Sequence, residues 1–136
     1  MTGTCLCGAV RVTLAAKPEF IHDCNCDLCR KSGAAWGYFA SAQVSAEGET
    51  MSAMRMDKPE PAAEVHSCAS CAATTHFVIA QSFMERHGAV DLVGVNMRLF
   101  DLGELDGVEV RFPNGREWSG QGPFDYRRPA VAVSGW

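Results

Sequence analysis

The chain has 136 residues, a formal net charge of −4 and seven cysteines. That length supports a hydrophobic core of its own, burying about two-thirds of the unfolded chain's surface, so a metal would add to a core rather than replace one. The acidic balance, with Arg30-Lys31 and Arg127-Arg128 as the only adjacent basic pairs, excludes nonspecific attachment to nucleic acid, whose phosphates need a basic stripe.

No apolar run approaches the roughly 20 residues of a membrane span, so no membrane role is expected. Met1-Thr2-Gly3-Thr4 carries no basic region of the kind that opens a secretory signal. These features predict a cytoplasmic protein whose thiols stay reduced.

Cys5 and Cys7 come first in the chain, followed by Gly8, which permits the sharp turn that two liganding cysteines require. Over 9–14, Val10, Val12 and Leu14 alternate with Arg11 and Thr13, the period of a half-buried strand. Lys17-Pro18-Glu19 breaks that strand, and Phe20-Ile21-His22-Asp23 leads into Cys24, Cys26 and Cys29. Trp36, Tyr38 and Phe39 mark a strand over 34–40, and Gly48 and Pro59-Glu60-Pro61 mark loops around another near 51–56. β-Branched and aromatic residues predict strands over 74–79 and 89–95, and Val108, Val110 and Phe112 alternate before a Pro113-Asn114-Gly115 turn. From Ser119 onward glycines and prolines predict an irregular tail, its end tied down by Val131, Val133 and Trp136. With no long helical periodicity, repeat or linker, the predicted class is mainly β, in one domain spanning 1–136.

The cysteines fall into three tight groups: Cys5 and Cys7; Cys24, Cys26 and Cys29; Cys68 and Cys71. Such spacing cannot easily close a disulfide within a group, but it sets thiolates on one side of a turn, as a tetrahedral zinc ion requires. An odd count would also leave a thiol over in a full disulfide framework. The spacing predicts a closed four-thiolate set from Cys5, Cys7, Cys68 and Cys71. It leaves a three-thiolate set, Cys24, Cys26 and Cys29, with a position open for water or substrate. The other reading of the same spacing shares the ligands differently and leaves one zinc with spare thiols.

Cys5-Leu6-Cys7-Gly8-Ala9-Val10, Cys24-Asn25-Cys26-Asp27-Leu28-Cys29-Arg30-Lys31-Ser32-Gly33, Cys68-Ala69-Ser70-Cys71 and Asn96-Met97-Arg98 resemble, in order and spacing, the glutathione-dependent formaldehyde-activating enzyme family, the CENP-V/GFA domain. The resemblance runs to about Asp101. It implies a β-tent fold of short antiparallel sheets, similar to methionine-R-sulfoxide reductases, with two zinc ions. The structural zinc would lie on Cys5, Cys7, Cys68 and Cys71, and the catalytic zinc on Cys24, Cys26 and Cys29. It also implies a zinc-dependent carbon–sulfur lyase that forms or cleaves S-hydroxymethylglutathione or a related adduct. The partners would be glutathione or another small thiol and formaldehyde or a related aldehyde. Three thiolates make zinc electron-rich, which favours activating the thiol over polarising the carbonyl. Asn25 stands where the family commonly has histidine, and Ala72 follows Cys71 where glycine is usual.

The alternative is a non-catalytic, zinc-stabilised scaffold of the same fold. A redox role would need a cysteine outside the metal groups, and all seven are allotted. Around the triplet, Arg30 and Lys31 could meet a substrate's carboxylates or simply balance Asp23 and Asp27. His22 and His66, each two residues before a cysteine, read either as site residues or as structural histidines. Asn96 and Arg98 either brace the loop beside the site or form a turn. Trp36, Tyr38 and Phe39 read as pocket wall or core. Met51, Met54 and Met56 read as core filling or sheet surface.

Overall fold

A computed structural model describes residues 1–136. Its strands form two sheets. β1 (Thr2–Thr4), β2 (Arg11–Leu14) and β5 (Val44–Glu47) make a small antiparallel sheet in the order β1-β2-β5. The larger sheet contains β3 (Phe20–His22), β4 (Trp36–Phe39), β6 (Thr50–Met54), β7 (Ala63–Cys68), β8 (Thr74–Ile79), β9 (Val93–Asn96), β10 (Glu109–Arg111) and β11 (Val131–Ala132). Its order is β11-β10-β3-β4-β9-β8-β7-β6, so the last strands of the chain pair with one of the first.

The mainly β class expected from the sequence is what the chain adopts, with one refinement. β10 runs parallel to β3, pairing Glu109 with Phe20 and Val110 with Ile21, so the large sheet is mixed rather than purely antiparallel. A parallel pair needs a long crossover, which the six intervening strands provide. Two short helices, α1 (Asp27–Ser32) and α2 (Gln81–His87), complete the fold, and neither is long and apolar enough to cross a membrane.

Alternation in β2 sends Val12 and Leu14 inward with Val10 just before them, while Arg11 and Thr13 face solvent. Val12 and Leu14 pack with Ile21 of β3, Phe39 of β4, Val95 of β9 and Val110 of β10 in a core that joins the two sheets. Each such side chain contributes about 1.5–3 kcal/mol by leaving water. The tail is less irregular than its glycines suggest. Val131 pairs with Val110, Val133 is buried, and the Trp136 indole donates to Asp23 Oδ2 at 2.8 Å. Met51 and Met56 are sheet surface, on and just beyond the edge strand β6.

Ala72, in the turn between β7 and β8, is the one non-glycine residue at positive φ, at 60°. Its N–H donates to the Cys68 carbonyl at 2.9 Å, so the turn holds it in a left-handed conformation that its Cβ resists. Ala72→Gly is therefore expected to raise the unfolding free energy of the metal-loaded protein by about 1 kcal/mol. Denaturant titration checks this; a lower midpoint would show that the turn carries no such strain.

Candidate metal centres and active site

The β1–β2 turn brings Cys5 and Cys7 against Cys68, at the end of β7, and Cys71, in the following turn. The four sulfurs all lie within 4.8 Å of one another, with Cys5 to Cys7 at 3.6 Å and Cys7 to Cys68 at 3.8 Å. Sulfurs placed about 2.3 Å from a tetrahedral zinc ion would be about 3.8 Å apart, so this set fits the ion. The Val10 N–H donates to Cys5 Sγ at 3.2 Å, a contact that orients a ligand and favours its thiolate. Cys5 and Cys68 are buried, and the set ties the small sheet to the large one.

The second set is built by β3 and α1. Cys24 follows the strand, Cys26 caps the helix, and one helical turn returns Cys29 to the same side, with Sγ of Cys26 and Cys29 3.3 Å apart. No cysteine is disulfide-bonded, and these three sulfurs also lie within 4.8 Å of one another. Hydrogen bonds from Cys24 and then Cys29 hold the Cys26 thiol well below the ordinary range, while the Cys24 and Cys26 thiols, together with burial, push Cys29 up. Negative charge gathered on close sulfurs in a low-dielectric setting calls for a cation. The Trp36 indole donates to Cys29 Sγ at 3.2 Å and the Cys26 N–H lies 3.4 Å from Cys24 Sγ. Neither His22 nor His66 belongs to a convergent set.

The triplet opens onto a cavity of about 130 Å³. Trp36, Tyr38 and Phe77 form its sheet side, and the Trp36 and Phe77 rings meet edge to face at 4.9 Å. Phe77 faces Gly94 across the β8–β9 ladder, where any Cβ would overlap the ring. His22 lies in the cavity wall with Nδ1 3.2 Å from the Tyr38 hydroxyl, and its buried Nε2 has no partner within the protein. Burial, and then Arg111, push His22 down to about 4, so the ring is neutral near pH 7. Arg55 and Lys58 are the cations of this wall.

The remaining sequence candidates divide. Lys31 does sit near Asp27, at 3.9 Å, but Asp23 is engaged by Arg98 at 3.0 Å and by Trp136, not by Arg30 or Lys31. Asn96 is buried and does both jobs proposed for it: Oδ1 accepts from the N–H groups of Ala35 and Arg98, and Nδ2 donates to the Thr74 carbonyl. His66 is structural, bonded through Nδ1 to Thr50 Oγ1 at 3.1 Å and stacked on His76. Phe39 is core, whereas Trp36 serves both core and cavity.

The profile of the glutathione-dependent formaldehyde-activating enzyme family, GFA, matches residues 1–107. The chain belongs to this family. A crystal structure of a Rhodobacter sphaeroides protein, solved as a structural-genomics target, resembles it with a TM-score of 0.56 and 23% identity, over 74% of this chain and 88% of the other. At that identity the likeness concerns the fold. No curated protein matches the chain.

In this GFA protein, part of the cavity wall lies beyond the matched residues. Pro113, Gly115, Trp118 and Phe124 also line the cavity, and the Trp118 and Phe124 rings are 4.5 Å apart. Asn25 clips this segment in place: Nδ2 donates to Asn114 Oδ1 at 2.7 Å, and Oδ1 accepts from the Arg116 N–H at 3.0 Å. Sequence reasoning recognised a turn at Pro113-Asn114-Gly115 but had no local signal that it faces the cysteines. Nor did it find Arg55, Lys58 or Phe77. A Cβ on Gly115 would overlap Cys24 Sγ. Gly115→Ala is therefore expected to weaken cobalt binding at the triplet by at least about tenfold, leaving the four-cysteine set unaffected. Optical titration measures both; equal affinity in the variant would show that Gly115 does not constrain Cys24.

Proposed function

We propose that the protein is a zinc-dependent carbon–sulfur lyase of the GFA type, interconverting glutathione and formaldehyde with S-hydroxymethylglutathione. In this reading Cys5, Cys7, Cys68 and Cys71 hold a structural zinc, and Cys24, Cys26 and Cys29 hold a catalytic one. The observation that carries the reading is the asymmetry of the two sets: four sulfurs converge in one, whereas the other has three beside a cavity. A zinc ion held by Cys24, Cys26 and Cys29 would lower the pKa of a substrate thiol brought to it and so supply a nucleophile near neutral pH.

The chain's own residues do the rest. The Trp36 indole and the Cys26 N–H hold Cys29 and Cys24 in orientation. Aromatic rings from the sheet and the tail limit water around the reacting carbon, which suppresses competing hydration of the aldehyde. Arg55 and Lys58 offset the negative charge that three thiolates bring. The Tyr38 hydroxyl, kept protonated by burial and the nearby cysteines, can donate to the aldehyde oxygen. Sulfur loses its proton and bonds to carbon, the carbonyl π pair moves to oxygen, and that oxygen takes up a proton. No electron is gained or lost overall, so no redox partner is needed.

Two-dimensional exchange NMR on an equilibrium mixture of formaldehyde, glutathione and the adduct tests the proposal. The zinc-loaded protein should accelerate interconversion. Unchanged rates with two zinc ions bound would exclude this reaction and favour a scaffold role.

A further inference from the structure

β6 is the outermost strand of the large sheet, paired with β7 on one side and with no strand on the other. Two backbone bonds show which groups lie on its outer edge. The Arg55 N–H donates to the Ala63 carbonyl at 3.2 Å and the Ala69 N–H to the Glu49 carbonyl at 3.0 Å, in a register that sets Met51 opposite Ser67 and Ala53 opposite Val65. Hydrogen-bonded positions alternate along an antiparallel strand. Glu49, Met51, Ala53 and Arg55 therefore bond toward β7, and the N–H and C=O groups of Thr50, Ser52 and Met54 point away from it.

Edge strands are ordinarily kept from pairing with other chains by shortness, charge or proline. The other sheet edges here follow that rule: β11 has two residues, β1 has three, and β5 ends on Glu47. β6 does not. Its five residues, Thr-Met-Ser-Ala-Met, include no charge and no proline, and Met51, Ser52 and Ala53 are exposed. We infer that β6 is a self-association edge, which pairs antiparallel with β6 of a second copy of the chain about a twofold axis at Ser52. The inference is independent of the lyase reading.

The strand's own sequence favours a second copy as the occupant. With the axis at Ser52, Ser52 faces Ser52 and Thr50 faces Met54 of the second copy, so the outward backbone groups satisfy one another in about six hydrogen bonds. Met51 comes opposite Ala53 of the second copy and leaves water. Glu49 comes opposite Arg55 of the second copy, and the symmetry repeats this pair. Glu49 has no ion pair within its own chain, whereas Arg55 bonds Asp57 through Nε at 2.8 Å and Nη2 at 2.6 Å and keeps Nη1 free. Opposite charges facing each other across an antiparallel pair are stabilising. Neighbouring registers are worse. An axis at Ala53 would set Glu49 against Asp57, a like-charge pair, and an axis at Met51 would set Met54 against Gly48, outside the strand. Arg55 also lines the cavity beside the cysteine triplet, so the seam reaches the candidate active site.

A seam of one strand is at the small end of interfaces, so the dimer should be transient and depend on concentration. Sedimentation equilibrium of the zinc-loaded full chain, from about 10 µM to about 1 mM, should show the average mass rising from one chain toward two. Ser52→Pro removes an N–H that the monomer's ladder does not use and puts a ring at the centre of the seam. It should leave the monomer folded, by amide dispersion, and weaken dimerisation at least about tenfold. Glu49→Lys, at an exposed position, sets like charges opposite each other and should weaken it about tenfold. The mass of a single chain at every concentration overturns the inference, as does dimerisation of equal strength in folded Ser52→Pro. If that variant does not fold, Glu49→Lys decides: a weakened dimer supports the seam and an unchanged one overturns it.

Discussion

Under the proposed lyase function, Cys26→Ser is expected to lower the zinc content from two ions per chain to one and to reduce catalysed formaldehyde–glutathione exchange by at least about a hundredfold, while the sheets remain folded. Cys26 caps α1 and lies 3.3 Å from Cys29, so its loss leaves two sulfurs where a three-thiolate ion needs three. The hydroxyl of serine is a far poorer ligand because it stays protonated near neutral pH. Folding should survive because the main core, built around Val12, Leu14, Ile21 and Val95, does not include the triplet. Metal analysis, exchange NMR and amide dispersion read the three parts separately. A variant with one zinc and full exchange rates would remove the catalytic role of the triplet.

Cys68→Ser should act in the opposite way, on the fold before the chemistry. Cys68 is fully buried at the end of β7, and its set joins the β1–β2 turn to the β7–β8 hairpin, elements more than sixty residues apart in sequence. Structural zinc binding is worth about 10–16 kcal/mol in small zinc domains. Even a fraction of that compares with the roughly 5–15 kcal/mol of net stability of a whole domain. The expected result is loss of the first zinc and a fall of at least about 3 kcal/mol in unfolding free energy, with the small sheet opening first. Cys7→Ser, at an exposed position, should lose the same zinc without perturbing the core and serves as the control for packing. An unchanged denaturant midpoint in both variants would mean that this set does not hold a structural ion.

Much of the fold could be read locally. Strands over 11–14, 36–39 and 74–79 announce themselves because side chains alternate or because β-branched and aromatic residues run together. β1, β5 and β7 gave no such signal. Thr2–Thr4 and Val44–Glu47 are polar or small, and they are strands because β2 offers both its edges as partners. α1 was hidden for a different reason. Its six residues are too short to show a period, and what fixes them is the return of Cys29 beside Cys26.

By itself the sequence determined the mainly β class, the cysteine groups and the family, because these depend on spacing between near neighbours and on alternation within single strands. Only the tertiary structure decided which groups converge, and it placed Arg55, Lys58, Gly115, Trp118 and Phe124 around the triplet. Those residues come from two distant segments, and those of the tail join the cavity beside the cysteines only once β10 has closed beside β3 and Asn25 has clipped the tail. Contacts between segments so far apart follow from the packing of whole sheets, and no local pattern of residues encodes them.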